Sequence, residues 1–328
     1  MKKLIPIAAA AALLLTACSS GNYAATQLPP EPKTSAAAPP ASTTDQGCAD
    51  GKDPLASYAP EGPLPSPNQM PAKTWMRAIQ DRGRLIAGVS ADSLHLGARN
   101  PISGQIEGFD IDMVKAVATA IFGTWKGHLE LRVISSPARI PSLRDTKNPV
   151  DIVARNMTIN CERWGQIAFS AEYYRSGQKT LVQLDSKATK VEDLDGQTIC
   201  APAGSTSLTN LKKQNPKVIP VTADTDTGCL VLFQQGKAAG ISGDDTVLAG
   251  DAAQDPYAKV LPQRFSDEPY GLGISLQHQE FVRFVNGVLE QMKANGTWMQ
   301  SYNTWLKPDL GPLKAPPTPL YGRVPVNQ

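Results

Sequence analysis

The sequence has little of what builds metal centres. Its three histidines, His95, His128 and His278, lie far apart along 328 residues, and neither CxxC nor HExxH occurs. Neither a metal site nor a cofactor is expected from such a set. Long apolar runs are scarce too. After Leu15 no segment approaches the roughly eighteen unbroken apolar residues of a membrane-spanning helix. An excess of charge is also missing, with Lys and Arg numbering 32 against 30 for Asp and Glu. Loss of an N-terminal piece containing Lys2 and Lys3 would bring the 32 basic residues down to match the 30 acidic ones. A neutral domain argues against nucleic acid as a partner. A small molecule or another protein remains.

What is present begins with an export signal. The chain opens MKKLIPIAAAAALLLTACSSG, with two lysines, an apolar run from Leu4 to Leu15 and small residues around Cys18. That run is too short to span a bilayer. Leu15-Thr16-Ala17-Cys18 resembles the lipobox of bacterial lipoproteins. The likeness implies cleavage of residues 1–17 as a signal peptide, acylation of Cys18, and a lipid anchor on the extracytoplasmic face of a bacterial cell membrane. Residues 18–72 are rich in Pro, Ala, Ser and Thr and bury too little apolar surface to order themselves. As flexible coil they would span on the order of 40 Å. Cys48 is expected to pin the last third of this tether to the folded part. Of the 5 cysteines, Cys48, Cys161, Cys200 and Cys229 remain after Cys18. An even number in an exported chain reads as two disulfides.

Alternation of helix and strand patterns starts at Thr74, the expected N-cap of a helix WMRAIQDR that Gly83 ends. LIAGVS (85–90) reads as a buried strand. From Asp110 a helix places Ile111, Val114, Val117, Ala118, Ile121 and Phe122 on one face. LELRVIS (129–135), a short helix near Arg139–Arg144 and the strand DIVARNM follow. After SAEYYRSGQKTLVQ the pattern restarts, with strands TICA, VIPV and AGIS alternating with helices SLTNLKKQ and GCLVLFQQ. A strand GLGISL and a long amphipathic helix from Gln279 to Asn295 close it. Strands separated by helices imply parallel pairing. Two such units suggest two lobes with a ligand cleft between them.

Gly108-Phe109-Asp110-Ile111-Asp112-Met113-Val114-Lys115-Ala116-Val117-Ala118 resembles the signature of the polar amino-acid-binding proteins, the family 3 extracellular solute receptors of ABC importers. MTINCER (157–163), FSAEYY (169–174), VEDLDGQTICAPAGSTS (191–207) and the acidic loop GDDTVLAG (243–250) resemble further family motifs, in order. The resemblance covers about 73 to 308. It implies an α/β, two-lobed periplasmic-binding-protein fold of type II, with two α/β domains joined by a two-strand hinge. Lobe 1 is then 73–178 and 266–310, lobe 2 is 179–265, and 311–328 is a Pro-rich tail.

An amino acid carries a carboxylate and an ammonium on one carbon, so its receptor needs an arginine fork and acceptors. The resemblance implies that Arg163 binds the carboxylate, that Thr158 bonds the ligand's main-chain groups, and that Asn156 is a neighbouring acceptor. Gly204, Ser205 and Thr206 precede a helix whose N–H groups can hold an anionic oxygen. Asp244 falls on the acid that takes the ammonium, with Asp245 beside it as the one-residue alternative. Arg139 starts RIPSL, which resembles the R-I-P-x-L of glutamate- and aspartate-binding members, where this arginine reaches the side-chain carboxylate. Those members carry a further arginine after the first strand. Here the stretch reads VSADSLHL, which could admit asparagine or glutamine.

The implied function is binding by lobe closure and delivery of the amino acid to a membrane permease and ATPase, by a monomer. A sensor that signals through a membrane receptor is the alternative partner scheme. An enzyme would need a proton-transfer group facing the ligand, and the implied binding set contains no histidine. Cys200 and Cys229 belong to one lobe and are expected to pair, which leaves Cys161 for Cys48. Cys161 then reads as a clamp rather than a nucleophile.

Overall fold

A computed structural model describes residues 48–324. The signal sequence, Cys18 and the first part of the leader lie outside the described residues. The leader contributes strand β1 (Ser57–Tyr58). Helix α1 (Trp75–Arg82) starts at Thr74, whose hydroxyl accepts from the Arg77 N–H, and stops at the left-handed Gly83. Next come β2 (Leu85–Val89), a small antiparallel sheet of β3 (Asp92–Ser93), β4 (Gly97–Arg99) and β5 (Ile106–Glu107), and helix α2 (Phe109–Phe122). The chain continues through β6 (Leu129–Val133), α3 (Arg139–Arg144), β7 (Ile152–Ala154), the single turn α4 (Cys161–Trp164) and β8 (Ala168–Phe169). The second lobe is built from β9 (Tyr174–Gln183), β10 (Thr198–Pro202), α5 (Thr206–Gln214), β11 (Ile219–Ala223), α6 (Asp226–Gln234), β12 (Gly240–Asp244), α7 (Asp245–Gln254) and β13 (Ala258–Val260). Strands β14 (Ser266–Tyr270) and β15 (Gly273–Ile274) return to the first lobe. Helices α8 (Gln279–Ala294), α9 (Thr297–Trp305) and α10 (Lys307–Leu310) and strand β16 (Tyr321–Arg323) complete the order.

The first sheet runs β6-β2-β7-β15-β8, with β2 parallel to β6 and β7. Its core is the apolar stripe expected on α2, with Ile111, Val114, Val117, Ala118 and Ile121 fully buried, packed with Phe281, Val285 and Leu289 of α8. Gly108 opens α2 because the chain passes too close for a side chain: a Cβ there would lie 2.3 Å from the Leu96 carbonyl oxygen. The second sheet runs β11-β10-β12-β9-β13, with one apolar cluster around Cys200, Cys229 and Phe233 and another around Ile199, Leu208 and Leu211. Both chain crossings run through β9 and β14, which pair antiparallel from Tyr174 with Tyr270 to Gln178 with Ser266. This ribbon is the hinge.

Several expectations are corrected. The leader is not loose up to residue 72. From Cys48 onward it packs on lobe 1, with Tyr58 and Met70 buried and β1 paired in parallel with β16 of the C-terminal tail. Backbone pairing and the disulfide order a stretch whose composition alone would not. SAEYYRSGQKTLVQ is no mere break, since it contains the ten-residue strand β9, antiparallel to β12, β13 and β14. The acidic loop expected at 243–250 is the end of β12 and the start of helix α7.

Candidate functional site

The lobes meet at the C-terminal ends of their parallel strands, where open α/β sheets hold ligands. Between them lies a small cavity of about 20 Å³ whose lining includes Arg139, Asn156, Thr158, Ser205, Thr206, Asp226, Asp244 and Asp251. A wider pocket of about 620 Å³ opens beside it, lined by Arg139, Arg163, Gly204, Ser205, Thr206 and Lys212.

Arg163 sits on α4, which Asn160 caps by accepting the Arg163 N–H. Its side chain is buried, and Nη1 donates to the Thr158 carbonyl at 2.6 Å and Nη2 to the Gly204 carbonyl at 3.4 Å. Arg139 opens α3 but is only 4% exposed, not a helix-surface residue. Its guanidinium donates to the carbonyls of Ser136, Arg155, Asn156 and Gly204. Burial pushes Arg139 down to about 9, and the neighbouring Arg163 and Arg155 add to the push. Gly204, left-handed at φ 65°, brings its carbonyl to both arginines from the second lobe, and a Cβ there would stand 3.2 Å from Pro137.

The polar partners split by lobe. Thr158 donates to Glu268 of β14 at 2.6 Å, and Thr206 donates to the same carboxylate oxygen at 2.6 Å. Ser205 caps α5 and is turned onto its own loop, donating to the Pro202 carbonyl and accepting from the Leu208 N–H. Asp244 is buried, accepts from Tyr270 at 2.7 Å and faces the cavity. Asp245 instead accepts from Ser176 on the hinge strand at 2.5 Å and is not among the cavity-lining residues. Burial and the nearby Glu268 raise the Asp244 carboxyl well above the usual range. Asn156 holds a left-handed backbone at φ 37°, its N–H donating to Asp110 at 2.8 Å. Its Oδ1 is buried without a hydrogen-bond partner among the described residues.

Further charged residues reach the site without having been expected there. Asp226, the first residue of α6, accepts from Ser93 at 2.5 Å and Asn156 at 3.5 Å, and lies 3.7 Å from Arg155. Arg155 is 1% exposed and directly follows β7. Asp251 is 3% exposed, and its Oδ2 has no hydrogen-bond partner among the described residues. Burial, then Asp226 and Asp92, raise its carboxyl well above the usual range. Asp226 follows β11 by three residues, and no family motif quoted above covers it. Glu268 had a weak signal, an acid inside the strand SDEPY. No group of three or more His, Cys, Asp or Glu among the described residues is arranged to hold a metal ion.

The disulfides are Cys48–Cys161 and Cys200–Cys229. Residues 85–308 match the sequence model of the bacterial extracellular solute-binding proteins, family 3. The chain belongs to this family. The ABC transporter glutamine-binding protein GlnH of Bacillus subtilis is 30% identical over 256 residues, 78% of this chain and 93% of that protein. The glutamate-binding protein GluB of Corynebacterium glutamicum is 30% identical over 233 residues, 68% of this chain and 78% of the relative. Among solved structures, an ancestral arginine-binding protein bound to glutamine superposes with a TM-score of 0.63 at 30% identity, over 69% of this chain and 98% of that one. The family member here therefore has the two-lobed fold of these receptors.

Proposed function

We infer that this family member is a monomeric, lipid-anchored receptor on the extracytoplasmic face of a bacterial membrane. It binds a polar amino acid by lobe closure and hands it to an ABC permease. The observation that carries this reading is the pair of buried guanidiniums of Arg163 and Arg139, which share one carbonyl, while Asp244 lines the cavity from the other lobe. A backbone carbonyl compensates a guanidinium only in part, so a carboxylate arriving there gains two strong, charge-assisted contacts. Asp244 supplies the acceptor for the ammonium, Thr158 and Thr206 bond the main-chain groups, and the Gly204-Ser205 turn receives an oxygen. Asn156 contributes its free amide oxygen.

Glutamate or aspartate is the preferred ligand in this reading, with glutamine and asparagine the close alternatives. The glutamine- and glutamate-binding relatives support that class. The relatives are binding proteins, which supports reading the cleft as a receptor and not an enzyme.

A thermal-shift screen against the twenty amino acids tests the reading. A ligand at a hundredfold excess over Kd should stabilise the folded chain by about 2.7 kcal/mol. No shift with any amino acid would overturn it. Calorimetric titration of Arg139→Ala tests the specificity, with at least a tenfold loss expected for glutamate and aspartate and a smaller one for glutamine. Unchanged acid affinity would remove Arg139 from the ligand.

A further inference from the structure

Two segments outside the family match at 85–308 meet on the outer side of the loop that carries Arg163. The leader supplies Cys48, which is bonded to Cys161, and the Pro54 carbonyl, which accepts the Trp164 indole N–H at 2.7 Å. The tail supplies Arg323, whose guanidinium lies 3.8 Å over the Trp164 ring. Arg323 also ties the two segments together. Its Nε donates to the Ala56 carbonyl at 2.7 Å, its Nη1 pairs with Asp50, and its Nη2 reaches the Cys48 sulfur at 3.5 Å. Below it, β1 pairs with β16, and Ser57 donates to the Phe169 carbonyl at 2.8 Å. Asn286 of α8 holds Ser57 Oγ and the Tyr58 carbonyl, at 2.9 and 2.7 Å.

The inner face of this collar is α4, Cys161–Trp164, a helix of one turn. So short a helix cannot hold its own geometry, since nucleation costs more than one turn returns. Its orientation must come from what grips it. Two of its residues, Cys161 and Trp164, are gripped from outside, and the residue between Glu162 and Trp164 is Arg163, aimed into the cleft. We propose that Arg323 is a positioning residue for ligand binding: stacked on Trp164 and joined to the Cys48–Cys161 bridge, it fixes the turn that aims Arg163, so that the two appended segments set the affinity of the cleft. The affinity part rests on the amino-acid-binding reading above. The collar itself does not.

The test uses the full chain with Arg323→Ala and Arg323→Lys. Hydrogen–deuterium exchange, read without ligand, should be about tenfold faster in Arg323→Ala over residues 157–166 and unchanged in the second lobe. Unchanged exchange over 157–166 would overturn the collar. Titration with L-glutamate and L-glutamine should show about tenfold weaker binding in Arg323→Ala, largely restored in Arg323→Lys, which keeps a cation over the indole. In an Arg163→Ala background the Arg323→Ala change should cost nothing further. Equal losses in both backgrounds would make Arg323 a general stabiliser and overturn the positioning role. A wild type that binds neither amino acid would overturn the functional reading instead, while the exchange measurement still decides the collar.

Discussion

Asp110 illustrates how a signature residue acts on a site it does not line. Its two carboxylate oxygens accept from the Tyr173 hydroxyl at 2.6 Å and the Asn156 N–H at 2.8 Å, which holds Asn156 in its left-handed conformation at the cleft. Full burial raises its pKa from 3.8 to about 6, against the opposing pull of those two hydrogen bonds and Arg155. The folded state therefore holds this proton more tightly than the unfolded chain. The stability it contributes is present below pH 3.8, falls as pH rises to about 6, and stays lost above that. Asp110→Asn removes the titration while an amide oxygen still accepts the Asn156 N–H. Urea denaturation across that range should show the variant gaining on wild type by on the order of 3 kcal/mol between pH 4 and pH 7. Parallel pH profiles would disprove the assignment. Legibility at this scale was uneven. Arg163, Thr158 and Asp244 stood out through motif position, whereas Arg155 hid at the end of the apolar run DIVARN, where a buried charge and a surface charge look alike in sequence. Nothing in the pattern around Asp226 marks the lobe-1 groups, Ser93, Asn156 and Arg155, that surround it.

Elements with an apolar period were readable, and those that bury polar groups were not. α1, α2, α3 and α8 begin and end within a residue or two of where caps and spacing put them. β9 escaped because its inward residues include Ser176, Gln178 and Thr180, all at most 1% exposed, which erase the alternation. α7 escaped because it starts on Asp245, directly after the acid that ends β12, and carries Gly250. That glycine is explained by lobe contact, since a Cβ there would meet the Leu94 carbonyl oxygen at 3.0 Å. The Cys200–Cys229 bridge was legible from lobe membership alone, and it ties β10 to α6, the helix that presents Asp226. Its sequence separation of 29 corresponds to about 3.5 kcal/mol of loop entropy removed from the unfolded chain. Replacing both cysteines by serine should lower the urea midpoint by the equivalent of about 3 kcal/mol. A loss below about 1 kcal/mol would mean that the unfolded lobe is already constrained without the bridge.

On the scale of the whole molecule, two lobes and a hinge follow from the repeated strand-helix order, but what holds the lobes together does not. Beside the packing of Gly250 on Leu94, the contact is made by scattered polar groups. Thr227 donates to the Asp92 carbonyl at 2.9 Å, and the Ser136 N–H donates to the Asp224 carbonyl at 2.9 Å. Arg139 and Arg163 reach Gly204 across the cleft. Asp226 makes the densest of these contacts, a carboxylate of the second lobe held by Ser93, Asn156 and Arg155 of the first. A hydrogen bond to a charged group contributes about 1.5–3 kcal/mol, so losing this one should shift the open–closed balance by roughly ten- to a hundredfold. Asp226 is buried in the seam between the lobes at the start of α6, outside the apolar clusters of the second lobe, so its removal should leave the folding of that lobe intact. Asp226→Ala should therefore keep its far-ultraviolet spectrum, weaken amino-acid binding by that factor, and show a larger radius of gyration at equal ligand concentration in small-angle scattering. Ser93→Ala, which removes one of the three lobe-1 partners of Asp226, should move both readouts in the same direction by a smaller amount. Unaltered affinity and scattering in both variants would assign closure to the other contacts, those of Gly204 with the arginines and the Thr227–Asp92 and Ser136–Asp224 hydrogen bonds.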